Sequence, residues 1–358
     1  MSSTNSSLKS LYYLLFLPVF LGIISWQTWI VWSWMLSPVN GEKKDFENTK
    51  NEIQLSISSG TASQQIGIEL EKTGLIRSVI AWKIWTIWLK INDKNGQFQA
   101  GNYQFSTNES LPEIAYKIRE GKVMETSFTI PEGWKISQIA NYFEFLGYCS
   151  ADKFIKATRN IPRDKFSWLP EKLLHLEGFL YPDTYVIPTG SFTPEYLINI
   201  MLKRFETEAL PLYNQAKSNT KFSLFDLVTL GSIVEKEAVI PEEREIIAGV
   251  FINRLRIGMP LQTDPTVEYG LGIKQTADRP LTIKEVRTKN SYNTYINSGL
   301  PPSPIASPGK ASLQAVLTPK KTEYLYFVAR YDGTHVFSKT LTDHNRATIQ
   351  IRQQRRNI

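Results

Sequence analysis

The sequence holds a single cysteine, Cys149, and three scattered histidines, His175, His335 and His344, in 358 residues. One cysteine excludes an intramolecular disulfide framework and a cysteine-based zinc site, and three histidines leave little room for a multi-histidine metal centre. No phosphate-binding glycine loop, dinucleotide-binding glycine pattern, His-Glu-x-x-His helix or serine nucleophile elbow is present. Charge is missing too: Leu11 to Leu36 carries no charged side chain, and the last 13 residues carry four arginines (Arg346, Arg352, Arg355, Arg356) and no acid.

The uncharged stretch is the first positive signal. Its 26 residues exceed the ~20 needed to span a bilayer, and four of the nine tryptophans (Trp26, Trp29, Trp32, Trp34) crowd its second half. Aromatic belts mark the membrane–water interface. A cleaved signal has a shorter apolar core and a small-residue cleavage site, which is absent after Trp34. The sequence therefore predicts a cytoplasmic tail over 1–10 and a single-pass helix over 11–36. The flanking charges (Lys9 before; Glu42, Lys43, Lys44 and Asp45 after) do not set orientation, but a short polar tail ahead of a large domain fits export of the bulk. The formal charge of +7, of which +6 lies beyond the span, suits a polyanionic partner, nucleic acid or an anionic surface.

At 42% hydrophobic and 21% charged, the remainder reads as globular,. Residues 37–51 read as a polar tether. An echo follows: Ile57, Gly60, Gln65, Ile66, Glu71 and Gly74 recur as Ile130, Gly133, Gln138, Ile139, Glu144 and Gly147, each offset by 73 residues. Each copy predicts a strand, a turn, a helix and a glycine stop. Residues 52–125 predict strand, helix, helix, strand, helix: a small α+β module. Trp82, Trp85 and Trp88 recur every third residue there and read as core packing, with a sugar-stacking platform as the alternative. Residues 126–345 form a larger mixed α/β unit, ending in a hairpin (Tyr324–Val328 against Gly333–Phe337). Residues 346–358 read as a basic tail. The fold class is α+β behind one transmembrane helix.

The helix that begins near Ser223 carries the most chemistry. Ser223 and Asp226 form a capping-box start. Leu224, Leu227, Val228, Gly231, Val234 and Ala238 share one face at 100° per residue. Glu235 points almost with Val228, whereas Glu237 points to the opposite, solvated side. A carboxyl on a semi-buried face has its charged form disfavoured, which suits a general acid. The alternative is a buried ion pair, for example with Arg254. A second helix is predicted from Pro241. Gln262, Thr263 and Asp264 follow in a Gly/Pro-rich loop, Glu177, Tyr181 and Asp183 lie in an acid-aromatic turn, and Tyr292 and Asn293 add to the set. Acid, aromatic and amide together make the chemistry of a sugar cleft. Cys149 reads as structural.

The sequence resembles the YceG-like endolytic murein transglycosylases. The resemblance rests on Glu177-Gly-Phe-Leu-Tyr-Pro-Asp-Thr-Tyr185, Ser232-Ile-Val-Glu-Lys-Glu237, Val250-Phe-Ile-Asn-Arg-Leu-Arg-Ile-Gly258, Leu261-Gln-Thr-Asp-Pro-Thr266, Tyr292-Asn-Thr-Tyr295, Gly299-Leu-Pro-Pro302 and Ala306-Ser-Pro-Gly309, in order. It implies a LysM-like module over 52–125, although that region departs most from the family. It also implies catalysis by Glu235 without metal or cofactor, with Asn253, Gln262 and Tyr292 orienting substrate and Glu177, Asp183 or Asp264 supporting. The implied reaction cleaves the β-1,4 bond between N-acetylmuramic acid and N-acetylglucosamine of nascent strands, leaving 1,6-anhydro ends. The implied place is the bacterial cytoplasmic membrane, with the catalytic domain outside. The implied partners are glycan strands, the bilayer and peptidoglycan synthases, not nucleic acid. Alternatives are a hydrolase pairing Glu235 with Glu177 or Asp264, and a non-catalytic glycan-binding scaffold. A pyridoxal-phosphate lyase activity, a label also attached to the family, finds no matching site.

Overall fold

A computed structural model describes residues 4–40, 52–92, 97–190, 192–276, 279–330 and 332–356. The chain divides into two compact units: residues 1–127 with 186–190, and residues 128–185 with 191–358.

The first unit opens with α1 (Thr4–Leu36). Its part Phe16–Leu36 is long and apolar enough to cross a membrane, and the side chains from Phe16 to Val31 are all exposed. The rest of the unit is β1 (Glu52–Ile57), α2 (Ser63–Lys72), α3 (Val79–Asn92), β2 (Gly101–Ser106) and α4 (Leu111–Arg119), the element order that the hydrophobic pattern predicts. β1 and β2 pair antiparallel, with Leu55 opposite Tyr103, and three helices close the core. Trp82 lies fully inside, its indole N–H donating to the Ser63 carbonyl at 2.8 Å. A β-carbon on Gly67 would collide with that indole, so the glycine admits the ring. Trp85 is packed against the same core, while Trp88 is 46% exposed. The tryptophan stripe is thus core at two positions and surface at the third.

Trp32, Met35 and Leu36 at the end of α1 also pack on this core. Of the residues read as a tether, 37–40 are described, and they are held: Arg77 donates to the Pro38 and Val39 carbonyls, and the Asn40 N–H to the Thr107 carbonyl. Residues 41–51 lie outside the described residues.

The chain leaves the first unit along β3 (Glu125–Thr129), whose partner strand is β4 (Thr184–Pro188). The echo in the sequence is an echo in structure: β3 and α5 (Ile136–Phe145) repeat β1 and α2 at the same 73-residue offset. Gly133 and Gly60 hold the turn and Gly147 and Gly74 the helix stop, all four at φ between 72° and 82°, where a side chain would be strained.

The second unit is mainly helical. After α5 come α6 (Ala151–Ala157), α7 (Pro194–Glu208), α8 (Leu210–Ala216), α9 (Leu224–Glu237), α10 (Arg244–Arg256), α11 (Asp264–Leu271), α12 (Ile283–Val286) and α13 (Lys310–Leu317). The hairpin β5 (Tyr326–Ala329) and β6 (His335–Ser338) is antiparallel, with α14 (Leu341–Arg356) packed on it. The basic terminal residues therefore continue a helix that starts at Leu341.

α9 is the hub. Ser223 and Asp226 exchange the expected capping bonds. Every residue from Leu224 to Val234 except Asp226 is buried, with α10 and α13 against it. The sequence reading of one buried stripe and one solvated face is corrected here: α9 is enclosed nearly all round. Gly231 allows the approach of α13, since a β-carbon there would lie 2.9 Å from Leu313.

Candidate active site

Glu235 sits in the last turn of α9, where the helix emerges, and is half-buried. Its Oε2 accepts the Gly309 N–H at 3.0 Å and the Ser312 hydroxyl at 2.7 Å. Gly309 is the N-cap of α13, so the carboxyl lies at a helix start where backbone donors are unpaired. Both bonds fall on one oxygen. Among the described residues Glu235 is in no ion pair. Arg254, the partner considered from sequence, instead donates to the Leu325, Leu261 and Pro260 carbonyls.

A second carboxyl reaches the same place. The Gly133 N–H donates to the Ser307 carbonyl and the Ser307 N–H to the Trp134 carbonyl, each at 2.8 Å. This clamp sets Glu132 against Gly309 so closely that a β-carbon on Gly309 would collide with its carboxyl. Burial, and next the charge of Glu235, push the Glu132 carboxyl above the ordinary glutamate range, with Arg244 opposing. The sequence reading missed Glu132. Its only local signal is the Pro-Glu-Gly turn between strand and helix in the second copy of the echo.

Glu177 is buried, accepting the Ile136 N–H and the Tyr269 hydroxyl, each at 3.0 Å. Burial raises its carboxyl to about 7 against these bonds. It lines a cavity of about 680 Å³ with Lys135, Lys236, Glu268 and Tyr269. The Tyr292 ring packs on Tyr269 with centroids 4.8 Å apart, and its hydroxyl meets Ser303 at 2.7 Å.

Glu237 is corrected. Its carboxyl turns inward to accept the Thr263 hydroxyl, and burial raises it to about 7. Asp264 accepts the Tyr295 hydroxyl at 2.6 Å and the Gln275 amide at 3.4 Å. Asp183 pairs with Arg204 and accepts the Thr184 N–H at 2.7 Å. Tyr181 is buried, and burial, then Glu208, Asp183 and Glu132, push its hydroxyl up to about 12. Gln262 is exposed, and at φ 51° it is the one non-glycine among the described residues in the left-handed region. Both asparagines are hydrogen-bonded to backbone carbonyls. Asn253 donates to the Thr322 and Tyr324 carbonyls, and Asn293 to the Val286 and Thr288 carbonyls.

The sequence-selected residues thus divide into groups: Glu235 with Glu132 at Gly309; Glu177 with Tyr269 and Tyr292; Asp264 with Tyr295; Asp183 with Arg204. Among the described residues no cluster of His, Cys, Asp and Glu could hold a metal ion. The first group can supply a carboxyl held through one oxygen beside a second carboxyl.

A sequence model of the YceG-like family matches residues 55–350. A Bacillus subtilis protein named endolytic murein transglycosylase is 35% identical over 329 residues, covering 87% of each chain. A Streptococcus pneumoniae protein of the same name is 30% identical over 327 residues, 84% of this chain and 58% of that one. The crystal structure of a YceG-like protein of Listeria monocytogenes is 34% identical, with a TM-score of 0.56 over 84% of this chain and all of the other. By the extent of these matches, the chain belongs to the YceG-like family.

Proposed function

We propose that this protein is a membrane-anchored lytic transglycosylase of murein, with Glu235 as its acid and base. The observation that carries the reading is the carboxyl of Glu235, whose Oε2 is occupied by the Gly309 N–H and the Ser312 hydroxyl. The proton then belongs on Oε1. Oε1–H donates to the glycosidic oxygen between N-acetylmuramic acid and N-acetylglucosamine, and that C–O bond breaks. The muramoyl C1 takes on oxocarbenium character. The same Oε1, now bare, takes the proton of the muramoyl C6 hydroxyl as O6 bonds to C1. The 1,6-anhydro ring closes, no water is consumed, and Glu235 is protonated again. One carboxyl held in place suffices, because both proton transfers occur on one face at one site. Tyr292, whose ring packs on Tyr269, is proposed as an orienting group together with Asn253 and Gln262.

The anchor is α1. Its exposed apolar side chains from Phe16 to Val31 call for a surrounding that is not water, and Trp26, Trp29 and Trp34 suit its interface. The arrangement proposed is the tail inside and both units outside the cytoplasmic membrane, where the positive charge meets anionic wall polymer and headgroups. The β1-α2-α3-β2-α4 module is proposed as LysM-like.

A hydrolase is the second reading, and Glu132 is the observation that favours it, since hydrolysis ordinarily uses two carboxyls. The partners considered from sequence, Glu177 and Asp264, are engaged elsewhere. Product mass decides: incubating murein strands with the protein should release anhydro-muramoyl ends. Ends heavier by one water, with no anhydro species, refute the proposal.

A further inference from the structure

The cavity of about 680 Å³ in the second unit is lined by four cations, Lys135, Arg159, Lys236 and Lys274. Among the described residues none of the four is in an ion pair. Two acids share the walls. Glu268 accepts the Gln275 N–H at 3.0 Å through one oxygen and its charge acts on Lys135, and Glu177 is bonded to Ile136 and Tyr269; two acids against four cations leave an excess of cations. His175 also lines the space, and burial and then Arg159 hold it below the ordinary histidine range, so it adds no acid-side switch near neutral pH. The balance facing the cavity is positive. Lys135, held 5.2 Å over the Tyr269 ring, is pushed down by burial; an incoming anion would relieve that burial cost.

The cavity adjoins the carboxyl pair. A β-carbon on Gly133 would lie 3.6 Å from Glu235 Cγ and 3.6 Å from Lys236 Cδ, and Lys236 Nζ reaches the Gly133 carbonyl at 3.4 Å. Consecutive residues of α9 therefore serve the proposed reaction centre and the cation-lined space. The volume is that of a small-ligand pocket, roughly 300–1,000 Å³. In murein, what lies next to the cleaved bond and carries negative charge is the muramoyl residue's lactyl-linked peptide stem, with its free carboxylates.

We propose that this cavity binds the carboxylate-bearing peptide stem of the muramoyl residue at the cleaved bond, held by Lys135, Arg159, Lys236 and Lys274. The proposal rests on the transglycosylase reading and adds a specificity: stem-bearing strands are preferred to bare ones. Arg159 and Lys274 are exposed at the rim, so removing them leaves the core and Glu235 intact.

The test uses the full chain in detergent and two substrates, murein strands with stems and the same strands stripped of stems by an amidase. Arg159→Ala/Lys274→Ala should lower kcat/KM about tenfold or more on stem-bearing strands and leave stripped strands unchanged. The free stem tripeptide should inhibit the wild type on stem-bearing strands, and its carboxamide form should not. Equal losses on both substrates, loss on neither, or equal inhibition by the two peptides overturns the proposal. The stripped strands also report folding. Glu235→Gln separates the two ideas: if it still releases anhydro ends, the underlying reading fails, whatever the rim variants do.

Discussion

Glu177→Gln should change how stability depends on pH, and the size follows from the site. Glu177 is 3% exposed and accepts two hydrogen bonds, yet burial holds its carboxyl at about 7 against an ordinary 4.5. A carboxyl raised in the folded state binds a proton that the unfolded chain releases. Its stabilising contribution is full below 4.5 and is lost as pH rises through about 7. The gap, at about 1.4 kcal/mol per pH unit, is worth about 3 kcal/mol. Glutamine does not titrate; its carbonyl can accept from Ile136 while its amide donates to the Tyr269 oxygen. Any fixed cost of the swap cancels when two pH values are compared. Urea unfolding of the full chain in detergent, at pH 5 and pH 8, should move the variant–wild-type difference by roughly 2 kcal/mol in the variant's favour at pH 8. Differences equal at the two pH values, or moving the other way, refute the assignment of Glu177 as a buried, protonated carboxyl.

Other consequences can be checked alongside. Gly309→Ala places a β-carbon into the Glu132 carboxyl and disturbs the N–H that pins Glu235, so steady-state turnover of murein strands should fall about tenfold or more; adding Glu132→Ala should recover part of it. Glu132→Gln removes the second carboxyl set against Gly309, so release of anhydro ends should continue, whereas a hydrolase that used Glu132 would lose its activity. Glu243→Ala strips the buried His335 of both its partners, the bond from its N–H at 3.0 Å and that at Nδ1 at 2.6 Å. It should cost about 3 kcal/mol of stability and loosen hydrogen-exchange protection in β6.

What the sequence could reveal was local. The capping pair Ser223 and Asp226 and the glycines of the echo act within a few residues, so their spacing foretold the start of α9 and the repeated strand-turn-helix. Glu237 was misread for a physical reason. A helix enclosed on nearly every side has no broad solvated face, and periodicity cannot separate it from an amphipathic helix. Glu132 escaped because its neighbours, Ser307 and Gly309, lie far along the chain and meet it only through a two-bond clamp. The side-chain amides of Asn253 and Asn293 donate to backbone carbonyls up to 71 residues away along the chain, and such bonds between distant segments leave no mark in local spacing. Glu235 was found from phase, but what distinguishes its two oxygens comes from α13, 74 residues away.

The central claim is that Glu235 alone handles both protons. It is tested most directly by mass spectrometry of the ends released from murein strands by wild type and Glu235→Gln. The account predicts 1,6-anhydro-muramoyl ends from the wild type, and a loss of at least 100-fold in their release from the variant, since general acid–base catalysis is worth about 10²–10⁴. Anhydro ends released by Glu235→Gln at the wild-type rate would contradict it.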